Sequence, residues 1–471
     1  MPNAASSLVI TNVRLAHPDP ARINDLWRIE CSEGHVSSVC LVGEDPDSVR
    51  AVPNGDRPDD IDAKGGLLLP SDRLCHAHIH LDKGFILDRC ELVTGYVVSN
   101  APNNLHHPAS CSDFAEALQV TNKAKALFDR DDLYRRGYKL IRDSVECGVT
   151  SMRAHVEIDA TVEFSCLEVG LKLSKDFRDV CDIQLTAFAQ DPLFDAAEST
   201  EPSHNYNLLA QAAETHDIQV VGSAPYVEPT LEQAKANITL VLKLAQKQGC
   251  HVDFHLDYNL DPASEPLIYE VISEAKKLSW SRESRITIGH ATRLQLFTPA
   301  QWCDLVVAIG ELPIVFVGLP QSDIYMLGRQ ETDAPLGPPR STLRIPYIMN
   351  KYNLEIAMSV NNVQNAFTPQ GSVDPLSLCT FGVALFQSAT PKDLRALVRS
   401  VTLISKRAIG QKDVHQDLCI TTDDPADFVI LHDSPDLRSA ALNPSYDRTT
   451  IRAGIVVARR QTSRWFADVT T

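Results

Sequence analysis

Between Leu74 and Lys83 the chain reads Leu-Cys-His-Ala-His-Ile-His-Leu-Asp-Lys, which sets His78 and His80 two residues apart. Side chains at that spacing share one face of a strand, so both imidazoles project together. Two imidazoles on one face, with the carboxylate of Asp82 close behind, suit a divalent cation such as zinc or iron. An isolated His-x-His is short and common, and a strand-capping pair bonded to nearby carbonyls gives the same pattern. Further along, His155, His255 and His290 also close apolar segments, and Gln190 and Asn361 follow two others. A histidine near the end of four separate strands is hard to explain by packing. The economical reading is one metal ion held by His78, His80 and His255, with His290 near the substrate. A bound cation would lower the pKa of its water to about 7 and supply a hydroxide nucleophile near neutral pH. Cys75, beside the pair, reads as a buried inert thiol.

Those side chains meet only if their strands stand side by side. The apolar run 65–70 leads into the His-x-His stretch and is read with it as the first strand. Seven more candidates follow at 150–156, 183–188, 218–222, 251–255, 286–290, 312–317 and 354–360. Helical segments separate most of them. In 231–248, for example, Leu231, Ala234, Ile238, Val241, Leu242 and Ala245 recur at helical spacing. Repeated strand–helix units at this interval predict an α/β fold, a TIM-like (β/α)8 barrel whose strand ends gather the histidines at one rim. A doubly wound open sheet is the rival, but no GxGxxG follows an early strand. Both chain ends are β-rich, in runs 8–10, 27–31, 34–39, 427–431 and 451–457. They predict one small β-sandwich-like domain from residues 1–70 plus 411–471, flanking a barrel at 71–410. Two long connections are expected to form lids: 88–113, with Gly95, His106 and His107, and 318–346, with Arg329, Arg340 and Arg344.

The 471 residues exceed one small domain, and 44% hydrophobic with 22% charged residues is an ordinary globular composition. A formal charge of −17 argues against nucleic-acid or anionic-membrane partners, which favour basic surfaces. No leader-like start and no bilayer-length apolar run is present. The 12 scattered cysteines form no CxxC pair and read as reduced thiols, so a cytoplasmic protein with a small-molecule substrate is expected.

Taken together these segments resemble the amidohydrolase superfamily, and within it the cytosine deaminase branch, over nearly the whole chain. His78-Ile79-His80-Leu81-Asp82 looks like the family's first-strand ligand pair, and Arg153-Ala154-His155-Val156 like its second-strand segment. Phe188-Ala189-Gln190 resembles the third, whose glutamine contacts the pyrimidine. His255-Leu256-Asp257 is similar to the fifth-strand metal segment, and Thr287-Ile288-Gly289-His290-Ala291-Thr292 to the one carrying the catalytic histidine. Met326-Leu327-Gly328-Arg329 matches only loosely. The resemblance implies substrate-binding roles for Gln190 and His155, catalytic positions at His290, Tyr258 and Asn361, and a homo-oligomer.

Two departures stand out. The family's proton-shuttling glutamate, three residues after the fifth-strand histidine, is Tyr258 here. Its eighth-strand aspartate is Asn361, within Ser359-Val360-Asn361-Asn362-Val363. Asparagine lends a carbonyl oxygen to a metal but accepts no proton, and tyrosine, with a pKa near 10, is a poor shuttle. Asp257 is the nearest carboxylate that could substitute, although its odd offset on a strand points it elsewhere. The expected activity is hydrolysis of a C–N bond in a small cyclic substrate. The alternatives are a metal-assisted lyase, isomerase or cyclase, or a catalytically impaired paralogue.

Overall fold

Eight parallel strands alternate with helices and roll into a barrel, in a computed structural model that describes residues 7–43, 60–70, 74–90, 112–328, 335–337, 339–412, 414 and 417–466. The barrel strands are Cys75–His80, Ser151–Glu157, Asp182–Ala189, Val220–Ser223, His251–Leu256, Ile286–His290, Ile314–Gly318 and Ile356–Met358, each paired with its sequence neighbour. The seam between the first and eighth strands closes at residues singled out for chemistry. His80 N donates to Asn361 O at 2.8 Å, and Asn361 N to His78 O at 3.2 Å. The Ser359 hydroxyl adds a 2.6 Å bond to the same His78 carbonyl.

One expectation needs correction. The run 65–70 is not the strand that carries His78 and His80. Leu67–Pro70 lies in the small sheet, antiparallel to Phe428–Leu431 and parallel to the end of Leu8–Leu15. Leu67, Leu68 and Leu69 are all fully buried because partners cover both faces. Pro70, with no N–H to donate, sits at that strand's last position.

The helix Leu231–Gln248 coincides with its sequence-predicted span, since its ends carry their own signals. The Thr230 side chain accepts from Gln233 N, and Gly249 ends the helix at φ 69. Ala234, Ile238, Val241, Leu242 and Ala245 are buried against the barrel, each large aliphatic contributing about 1.5–3 kcal/mol. Leu231 does not join them and is 40% exposed, because the first turn rides over the outer surface.

Both chain ends supply one mostly antiparallel sheet. Leu8–Leu15 pairs with Trp27–Ser32, which pairs with His35–Leu41. On its other side lie Leu67–Pro70, Phe428–Leu431, Arg448–Arg452 and Ile455–Arg460. The single run expected at 451–457 is a hairpin that turns at Ala453 and Gly454, both with positive φ. Arg448 ties this sheet to the barrel side, donating to both oxygens of Asp374 at 2.8 and 2.5 Å and to Cys147 O at 2.8 Å. No helix among the described residues is long and apolar enough to cross a membrane. Most of the first expected lid, including Gly95, His106 and His107, lies outside the described residues, as does Arg329. Within the described part of the second, Pro320–Met326 is helical, and the Arg340 guanidinium holds Ile324 O.

The barrel interior is filled below the rim by a polar layer. Arg153, fully buried, donates to Gln184 Oε1 at 2.7 Å, Asp253 Oδ2 at 3.0 Å and Thr287 Oγ1 at 2.6 Å. An ion pair this deep is tolerated only when its remaining hydrogen bonds are made. Gly222 lets the fourth and fifth strands approach beside it: a Cβ there would stand 2.3 Å from Asp253 O. Gly222→Ala is therefore expected to lower stability by about 1–3 kcal/mol, read as an earlier urea midpoint with unchanged m-value.

Candidate active site

A bulge decides which imidazoles enter the barrel mouth. Pairing between the first and second strands shifts register between His76 and Ile79, which breaks the alternation. His76 therefore faces away from its neighbours, its Nε2 3.2 Å from Ser144 Oγ on the helix Arg130–Glu146. His78 and His80 face inward. His155, His255 and His290 join them from the ends of the second, fifth and sixth strands. Ring centroids of His78 lie 4.0 Å from His155, 4.5 Å from His255 and 5.5 Å from His80. His80 to His255 is 5.1 Å, and the Nε2 atoms of His78 and His255 are 2.7 Å apart. Asn361, at φ 68 on the seam, donates Nδ2 to Ser322 Oγ at 2.8 Å, and its buried Oδ1 has no hydrogen-bond partner among the described residues. Gln190 and Tyr258 line one cleft with His80, His255, His290 and Asn361, and His78 and His155 pack against the rings of His80 and His255.

Burial governs the charge of these groups. Desolvation first, then repulsion from His155, lowers the His78 pKa to about 3 despite the pull of Asp253. Desolvation also drives His80 and His255 well below the usual histidine range, helped by Lys83 on the former and His78 on the latter. All three are neutral at pH 7, which is the ligating form. One atom from each of His78, His155, Asp253 and His255 lies within 4.8 Å of the others. Three imidazoles and a carboxylate so close fit a divalent cation. His80 stands outside that tightest group, and its buried Nδ1 has no partner among the described residues.

Sequence reasoning missed three residues. Asp253 shares a strand face with His255 two positions on, a spacing that could have flagged it. Burial works against its charge, but His155 Nε2 at 3.3 Å and His78 Nδ1 at 3.6 Å hold it far below the usual carboxylate range. Its other oxygen is held by Arg153. Asp323, on the helix after the seventh strand, bonds His290 Nδ1 at 2.7 Å and accepts from Thr342 Oγ1 at 2.6 Å. Only folding brings it there. Lys83 projects into the mouth three residues after His80, bonded to Glu157 at 2.7 Å.

Two nearby carboxylates are not part of the cluster. Asp82 turns aside to accept the Glu157 amide at 2.7 Å. Asp257 does not replace the missing glutamate: at φ 52 it swings away and caps the next helix, accepting Leu267 N at 2.8 Å and Ile268 N at 3.1 Å. Tyr258 lays its ring on His290, with centroids 3.7 Å apart at 24°. Burial, then Asp323, pushes its phenol well above its ordinary pKa. Cys75 is a buried thiol pushed up to about 12 by desolvation. Above the imidazoles lies a small, partly open cleft lined by His80, Lys83, Gln190, Tyr226, His255, Tyr258, His290, Asn361, Asn362 and Phe367.

Because the imidazoles are already proton-free, cobalt or zinc affinity should stay within about threefold from pH 7.5 to 5.5. Free imidazole, with a pKa of about 6.5, would lose up to about tenfold per unit and per ligand below that point. Chelator competition across that range checks this. Asp253→Asn should weaken metal binding by roughly 10- to 100-fold in the same assay, as loss of a carboxylate behind a ligating histidine does elsewhere.

No family model matches the chain. It is 22% identical over 400 residues to the N-isopropylammelide isopropyl amidohydrolase of Pseudomonas sp. (strain ADP), spanning 84% of this chain and 87% of that protein. Among solved structures it superposes on 5-methylcytosine deaminase from Klebsiella pneumoniae with 5-fluorocytosine, at a TM-score of 0.78 and 21% identity, covering 98% and 99% of the two chains. N-isopropylammelide isopropylaminohydrolase from Burkholderia multivorans ATCC 17616 follows at 0.68 and 19%, covering 97% and 99%. The chain thus shares the fold of these amidohydrolases and deaminases over nearly its full length.

Proposed function

We propose that this protein is a metal-dependent hydrolase that cleaves a C–N bond of a small, cyclic, non-peptide substrate. The observation that carries this reading is the meeting of His78, His80 and His255 beneath a cavity flanked by the His290–Asp323 pair. The names of its similar proteins, amidohydrolases and deaminases, point the same way. One zinc or iron ion would be held by the three histidines, with the amide oxygen of Asn361 as a neutral further donor and Asp253 behind His78. When bound, it supplies Lewis acidity and activates water. A cytoplasmic setting accords with the described cysteines, which are all free thiols.

The chain's own residues then divide the work. Asp323 accepts the Nδ1 proton of His290, which leaves Nε2 to take a proton from attacking water and return it to the leaving nitrogen. This pair supplies the acid–base function that Tyr258 and Asn361 lack. The Tyr258 ring fixes the imidazole plane from one side. Gln190 and Lys83 orient the substrate, and Phe367 offers a flat apolar wall.

A second reading draws on the neutral Asn361 and the phenol at 258: a metal-assisted lyase, isomerase or cyclase needs no water to be activated. Turnover of an aminoheterocycle and lactam panel in ¹⁸O-labelled water separates the two. Hydrolysis places label in the product, and unlabelled product moves the assignment to the second reading. His290→Gln should cut kcat by about 10²- to 10⁴-fold with metal content unchanged. His255→Ala should lose both metal and turnover. Metal-replete protein that turns over nothing in the panel would overturn the proposal.

A further inference from the structure

The charge that a bound cation would meet follows from one residue on the barrel seam. Asn361 donates its backbone N–H to His78 O at 3.2 Å and accepts from His80 N at 2.8 Å, which fixes it against two of the three histidines. Its Nδ2 donates to Ser322 Oγ at 2.8 Å, and that hydroxyl lies 2.5 Å from Thr368 Oγ1. The amide oxygen therefore points away from Ser322. It is buried, on a residue only 2% exposed, with no hydrogen-bond partner among the described residues. Asn361 lines the cleft together with His80 and His255. An amide oxygen and a ligating imidazole each give a lone pair and no charge.

The carboxylates nearby are committed elsewhere. Among the described residues that line the cleft there is no Asp or Glu. Asp253 pairs with Arg153 at 3.0 Å and meets His78 on its Nδ1 edge at 3.6 Å, whereas His78 Nε2 faces His255 Nε2 at 2.7 Å. The carboxylate and the second imidazole thus meet diverging edges of one ring. Glu157 holds Lys83 at 2.7 Å and Lys125 at 2.5 Å. Both oxygens of Asp323 are taken, by His290 Nδ1 at 2.7 Å and Thr342 Oγ1 at 2.6 Å. A divalent ion on these neutral donors would keep its full charge among side chains that water scarcely reaches, which is unfavourable.

We propose that the site takes up its cation together with a small monoanion from solution, and that Asn361 creates this requirement. The anion supplies the charge that the amide at 361 does not. The proposal rests on the reading of His78, His80 and His255 as the ligand set.

Chelator competition for cobalt at pH 7.5 tests it, in sodium azide against the same concentration of sodium perchlorate. Azide is a ligating monoanion, and perchlorate holds the ionic strength without ligating. Azide should raise cobalt affinity at least about fivefold, because a ligand that binds only the loaded site stabilises it by mass action. Asn361→Asp places the charge in the protein. It should bind cobalt about 10- to 100-fold more tightly in perchlorate and gain less than about twofold from azide. An equal azide response in the two proteins, or no tighter binding by Asn361→Asp, overturns the proposal. Should Asn361→Asp fail to fold because a carboxylate has no N–H for Ser322, the unsubstituted protein decides alone: a difference of less than about twofold between the two salts is a refutation. One cobalt per chain, indifferent to azide and to the substitution, sinks this proposal and leaves the hydrolase reading standing. Anion-dependent cobalt binding by a protein that hydrolyses no C–N substrate does the reverse. A chain that binds no cobalt in either salt overturns both.

Discussion

Several imidazoles forced together in a dry barrel mouth constrain everything around them. Neither His78 nor His255 can carry a proton at neutral pH without placing a charge where water does not reach and beside other rings. Neutral nitrogens converging within hydrogen-bond distance favour a shared positive charge, and a divalent cation provides one. The surroundings serve the same end. The bulge after His76 aims the two useful histidines inward, and the closing seam of the barrel fixes the His78 and His80 backbones against Asn361. Arg153 pins one oxygen of Asp253 so that the other faces His78 and His155.

The site's two sequence departures look less like losses once the neighbours are seen. The residue at 361 gives up a charge but keeps an oxygen, and Ser322 orients the amide by taking its N–H group. The residue at 258 gives up proton transfer and becomes a flat partner for His290. In the proposed chemistry acid–base capacity passes to His290 and Asp323, which lie 2.7 Å apart. Negative charge has moved from the cavity lining to positions behind it, at Asp253, Asp323 and Glu157.

How far the residues announced this arrangement varies with the kind of signal. The helix at 231–248 was legible to the residue because a threonine cap, an apolar stripe and a glycine stop all act locally. The sixth strand, Ile286–His290, was equally plain. The run at 65–70 misled because an apolar strand looks the same in either sheet, and only its partners at 428–431 decide the matter. Asp257 misled for a backbone reason: its positive φ lies outside what strand alternation anticipates.

The amino-acid order alone determined the repeating strand–helix units, the pairing of the chain ends, and the imidazole and amide positions at successive strand ends, because periodicity and spacing are short-range properties. Tertiary structure alone decided that His76 is excluded, that Asp323 reaches His290 from another strand's helix, and that Lys83 meets Glu157. Those are contacts between segments tens to hundreds of residues apart. Their geometry follows from barrel closure and bulges, which fix side-chain direction through packing and pairing that no local pattern encodes.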